Sequence, residues 1–77
     1  MTIEVLLFGR LTDFVGHTQL RVADVADTDT LSAYLLEHYP GLAALKYQVA
    51  VDQLIIHDNK ILADGMTVAL MPPFSGG

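Results

Sequence analysis

Thr2-Ile3-Glu4-Val5-Leu6-Leu7-Phe8-Gly9 opens the chain, and its alternation decides how the rest is read. Successive side chains of a strand point to opposite faces, so Ile3, Val5 and Leu7 share one face while Leu6 and Phe8 share the other. A strand wetted on one side carries polar residues there. This one has apolar residues on both sides, so its first face asks for a core and its second for something else. Arg10 to Gly16 reads as a connector, and Thr18 to Val22 as a second strand returning along the first in a hairpin with a long loop. The acidic stretch Asp24 to Asp29 then offers N-cap oxygens and favourable charge for a helix start. Leu31, Tyr34, Leu35 and His38 follow at spacings of three and four, which predicts an amphipathic helix of about three turns.

Pro40-Gly41 stops that helix, because proline cannot continue it and glycine accepts the turn that follows. Gln48 to Val51 and Leu54 to His57 read as short strands around Asp52-Gln53; Asp64-Gly65 marks a turn, and Thr67 to Met71 a final strand. One helix between a leading hairpin and later strands predicts an α+β domain: a mixed sheet of about five strands with one main helix covering one face. The β-grasp, or ubiquitin-like, arrangement is the obvious candidate. The division expected is a domain over residues 1–71 and an extended C-terminal tail over residues 72–77. The covered face should hold Ile3, Val5 and Leu7. The opposite face should hold Leu6 and Phe8 from the first strand and Ala69 and Met71 from the last, with Ile55 an addition. Exposed apolar patches of this kind mark interaction surfaces, although a shifted strand register or self-association would also account for the pattern.

A chain of 77 residues that is 52% hydrophobic and 17% charged is too apolar to be disordered and too short for a second domain. Its net charge of -5, with the cations Arg10, Arg21, Lys46 and Lys60 scattered, repels phosphate backbones and anionic lipid. Neither nucleic acid nor a membrane is an expected partner. The chain contains no cysteine, which fits a reducing cytoplasm. No leading signal and no long apolar run is visible, and the expectation is a soluble cytoplasmic protein. His17, His38 and His57 lack metal-ligand spacing, Ser32 and Ser75 lack a nucleophile elbow, and the glycines form no phosphate-binding loop. No metal site is expected, nor an enzyme acting alone.

What remains is the tail Pro72-Pro73-Phe74-Ser75-Gly76-Gly77. Two prolines fix φ at successive positions and favour an extended exit from the last strand. Gly76 and Gly77 carry no side chain and can enter a narrow channel, which brings the Gly77 carboxylate to a reactive centre in another protein. A frayed end is the bland alternative. The proline pair and the bulky Phe74 speak against it, and the tail is expected to be flexible until a partner holds it.

Ile3-Glu4-Val5-Leu6-Leu7-Phe8-Gly9-Arg10-Leu11, Val15-Gly16, Val49-Ala50-Val51-Asp52, Leu62-Ala63-Asp64-Gly65 and the run from Val68 to Gly77 together resemble the small, sulfur-carrying subunits of molybdopterin synthases. The most specific part is the end, where a Val-Ala-hydrophobic-hydrophobic strand runs into Pro-Pro-x-x-Gly-Gly. The resemblance implies that an activating enzyme adenylates the Gly77 carboxylate with ATP, and that a sulfur donor converts it to a thiocarboxylate. A large synthase subunit then takes the tail into its active site, where the sulfur passes to a pterin precursor in molybdenum cofactor biosynthesis. It further implies a heterotetramer with that subunit, and no cofactor bound by this chain. Gly77 is then the covalent site, Gly76 and Ser75 thread the channel, Pro72, Pro73 and Phe74 set the exit direction, and Phe8, Ile55 and Met71 meet partners. Three departures from the family pattern bear on partner contact: Met66-Thr67 stands where two acids are common, Phe74 where an aliphatic residue is, and Asp52 where asparagine is. The same tail would also suit a ubiquitin-like modifier conjugated through Gly77, a sulfur carrier of thiamine synthesis, or a plain β-grasp interaction module.

Overall fold

The computed structural model describes residues 1–73; the calls on Phe74, Ser75, Gly76 and Gly77 lie outside the described residues. β1 (Thr2–Leu7) buries Ile3, Val5 and Leu7 at 2% exposure or less, as its alternation predicts. β2 (Gln19–Ala23) pairs with it antiparallel, setting Val22 opposite Ile3 and Leu20 opposite Val5. After the long helix come β3 (Gln48–Val51), β4 (Leu54–Ile56) and β5 (Thr67–Met71), and the sheet order is β2-β1-β5-β3-β4. The β1–β5 pair is parallel and the others are antiparallel, which makes the sheet mixed. The first and last strands are therefore neighbours at its centre.

Between β1 and β2 the sequence predicts a connector; the structure has a short helix, α1 (Leu11–Val15), ended by Gly16 in the left-handed conformation. Leu11 and Val15 lie one helical turn apart and both are buried, so the turn closes that end of the core. Two glycines bracket it, and five residues are too few for a periodic signal. The main helix, α2 (Thr28–His38), lies on the covered side and buries Leu31 and Leu35, with Tyr34 half-buried and His38 exposed against the Tyr34 ring. Past Tyr39, a 3₁₀ turn over Pro40–Ala44 inserts the fully buried Leu42. Pro40-Gly41 thus ends α2 but does not end helical structure.

Asp27 caps α2, its carboxylate accepting from the Thr30 N–H at 2.8 Å. The Asn59 side chain donates to the same carboxylate, while its carbonyl accepts from the Asp29 N–H at 2.9 Å. Thr28 N–H donates to the Lys60 carbonyl and Leu62 N–H to the Ala26 carbonyl, so the segment before β5 is laced to the helix start. Between β3 and β4 the loop residues Asp52 and Gln53 have φ of 47° and 72°, the pairing a type I′ turn needs. The Asp52 carboxylate stabilises that turn by accepting from the Thr67 N–H at 3.0 Å. Among the described residues no helix is long and apolar enough to cross a membrane.

The core is small and has no covalent staple, so each buried leucine carries much of it. Leu35→Ala should cost about 2–5 kcal/mol, read as a large fall in the urea midpoint. A second test uses pH. Hydrogen bonds from Thr30, then Asn59, hold the Asp27 carboxyl below its ordinary range. A group lowered on folding stabilises above its unfolded value and loses that contribution as pH falls through the folded one. Asp27→Ala should therefore destabilise at neutral pH, and the gap from wild type in thermal melts should close as pH drops below the usual carboxylate range.

Candidate functional site: an apolar groove beside the exit of the last strand

The face of the sheet away from α2 is divided. On the β2 side, Glu4 accepts from Arg21 Nε at 2.8 Å and from the Gln19 side-chain amide, forming a polar patch. The Gln19 hydrogen bond, and after it the Arg21 charge, hold the Glu4 carboxyl below its ordinary range. Beyond β1 the character changes. Leu6 stands opposite Ala69, Ala69 opposite Ala50, and Ala50 opposite Ile55, which puts four apolar side chains in a row across four strands. With Phe8 and Met71, and the polar Asp52, Gln53 and Thr67, they line an open groove of about 720 Å³.

All five residues that alternation assigned to this face, Leu6, Phe8, Ile55, Ala69 and Met71, line the one groove. Phe8 and Ile55 are 46% and 44% exposed, which leaves large apolar surface in water. Ala50, Asp52, Gln53 and Thr67 complete the lining and escaped sequence reasoning. Ala50 and Thr67 could have been found from register, since they stand opposite Ala69 and Glu4, but a lone alanine or threonine in a strand declares no face. Gln48 faces Met71 across the β3–β5 ladder, and its side-chain oxygen is buried without a partner among the described residues.

Met71 is the last residue of β5, so the groove reaches the point where the chain leaves the sheet. Pro72 and Pro73 follow, exposed and outside any strand. His17, His38 and His57 are all exposed, and among the described residues no three His, Cys, Asp or Glu side chains are grouped as a metal ion would require.

A helix packed on one face of a five-stranded mixed sheet, with the first and last strands paired in parallel at its centre, defines a ubiquitin-like β-grasp protein. Within that class the chain belongs to the ThiS family, whose model matches residues 5–77. It is 34% identical to molybdopterin synthase sulfur carrier subunits of Caenorhabditis briggsae and Chlamydomonas reinhardtii, covering all of this chain and 99% and 100% of theirs. Among solved structures, subunits 1 and 2 of the molybdopterin-converting factor of Helicobacter pylori form a complex containing a chain 27% identical to this one, with a TM-score of 0.73 and full coverage of both. SAMP1 of Haloferax volcanii, at 24% identity and full coverage of both chains, superposes with a TM-score of 0.81, a likeness of fold.

If the groove is a surface for partners and not part of the core, charging it should leave the isolated protein intact. Phe8→Lys and Ile55→Lys should each change unfolding free energy by no more than about 0.5 kcal/mol, measured by urea titration.

Proposed function

We propose that this chain is the sulfur carrier subunit of a molybdopterin synthase, carrying sulfur as a thiocarboxylate on Gly77. The observation that carries the proposal is the end-to-end similarity to sulfur carrier subunits, which runs through the tail to Gly77. The groove adds a physical reason. A carrier has to present its end to an enzyme while the enzyme grips its body, and an apolar surface ending at Met71 puts the gripping place next to the tail.

Chemically, the Gly77 carboxylate is a poor electrophile until its oxygen is made part of a good leaving group. Adenylation with ATP by a separate activating enzyme does that, and a sulfur donor then displaces the adenylate. The resulting thiocarboxylate is a sulfur nucleophile on a tether, so a protein without cysteine can carry sulfur. Gly76 and Ser75 thread the active site of the large subunit, with Pro72, Pro73 and Phe74 giving the tail its direction. Pairing with a large subunit is supported by the two-subunit complex of the Helicobacter pylori factor, and we extend it to a heterotetramer. The chemistry of the transfer then belongs to the large subunit, the chain itself holds no cofactor, and the cycle runs in the cytoplasm.

The test is intact mass after incubation with the activating enzyme, ATP and a sulfur donor from the same host. The expected product is the chain with one carboxylate oxygen replaced by sulfur, lost when Gly77 is deleted; adducts linked to lysines of other proteins in place of that product would overturn the proposal in favour of a modifier. Phe8→Lys or Met71→Lys should weaken binding to the large subunit by about 2 kcal/mol or more, as removal of a central apolar anchor does. Calorimetric titration measures this loss.

A further inference from the structure

Because β1 and β5 are parallel neighbours, they end side by side: Phe8 N–H donates to the Leu70 carbonyl at 3.1 Å, and both strands then leave the sheet. Gly9 turns the chain from β1 toward α1 with φ of +61°, and Pro72 carries it away from β5. The two exits touch. A Cβ placed on Gly9 would lie 2.6 Å from Pro72 Cγ and 3.4 Å from Pro72 Cδ, so the ring rests directly on the bare Gly9 backbone.

The contact is harder to relieve than its distance alone suggests. A Cβ on Gly41 would meet Phe14 Cδ1 at the same 2.6 Å, but Phe14 is 43% exposed and its side chain has room to swing outward. The Pro72 ring is closed on its own backbone nitrogen, so Cδ is tied to the chain and Cγ has only the small freedom of ring pucker, far less than a side chain that can swing to another rotamer. Pro73 in turn restricts Pro72 to extended conformations, so a displacement there passes on with little damping. Gly16 and Gly65 also have positive φ, +81° each, yet a Cβ on either would meet nothing within 4 Å. Gly9 alone among these three combines the left-handed backbone with a neighbour in the way.

We infer that Gly9 is a positioning residue for the carrier tail: its missing side chain forms the seat of Pro72 and fixes the direction in which the chain leaves the sheet beside the groove. This inference rests on the carrier reading above. Gly9 takes no part in the chemistry and acts only through Pro72.

The test measures sulfur transfer by thiocarboxylated protein in the complex with the large subunit. Gly9→Ala should lower turnover at saturating large subunit by about tenfold or more, the scale expected when reacting groups are misplaced by a fraction of an ångström to an ångström. Affinity for the large subunit should stay within about twofold, because the groove is unchanged. Gly16→Ala bears the same backbone strain without the contact, and its turnover should stay near wild type. In a Pro72→Ala background, where the ring is gone, Gly9→Ala should have little further effect. Wild-type turnover in Gly9→Ala, or an equal loss with and without the Pro72 ring, would overturn the inference. If Gly9→Ala does not fold, Gly9→Asn carries the same Cβ on a residue that accepts the left-handed region more readily. Independently, the free wild-type protein should show a nuclear Overhauser contact between the Gly9 Hα and Pro72 ring protons; its absence would remove the seat itself. A wild-type chain that acquires no sulfur overturns the carrier reading, and the Overhauser contact then still decides whether the seat exists.

Discussion

The parallel pairing of β1 with β5 is the contact on which the rest of the structure depends. It joins the start of the sequence to its far end, with Glu4 opposite Thr67 and Leu7 opposite Leu70. On one side of that seam Ile3, Val5, Leu7, Val68 and Leu70 form the centre of the core, all at 2% exposure or less. On the other side Leu6 and Ala69 form the floor of the groove. One ladder therefore gives both the stability of the domain and the surface it offers. Its ends matter as much, since Gly9 and Pro72 meet only because the two strands finish at the same edge.

The division of the open face follows from the same geometry. β2 contributes Gln19 and Arg21 to it, and these satisfy Glu4 on β1, so that half is content in water. β5 and β3 lie inside the sheet and contribute Ala69, Met71 and Ala50 to the groove, two of the three with small side chains. Alanine at paired positions lowers the floor, and Phe8 and Ile55 rise at the sides as half-exposed walls. An apolar surface bordered by polar groups has the make-up of a protein interface, with an apolar centre and a polar rim.

Much of this is legible in the sequence itself. Alternation in Thr2 to Phe8 defines both faces of β1, and spacing places Leu31 and Leu35 on the buried side of α2. The five residues grouped on the open face line one groove because parity along a strand is a strict geometric rule. The misses have physical causes. α1 is one turn long, and its Leu11–Val15 pair is too short a pattern to separate from a loop. The 3₁₀ turn hid behind Pro40-Gly41, which reads as a stop signal. Asp52-Gln53, by contrast, stands between two short strands as the sequence reads, and its tight turn forms without glycine or asparagine, helped by a bond from Thr67 that only the folded sheet supplies. Gly9 looked like the end of a strand, because nothing in a linear pattern says which proline will lie against it.

The central place of β5 also bears on force. This strand is bonded on both sides, to β1 and to β3, and it ends at Met71, next to the exit of the chain from the sheet. A pull directed along β5 from its Met71 end draws the strand lengthwise between its neighbours. Both ladders are then loaded in shear, with many bonds strained together, whereas a strand peeled from a sheet edge gives way one bond at a time. A load taken at the end of β5 is therefore shared between two ladders, and the domain resists being unravelled from that end.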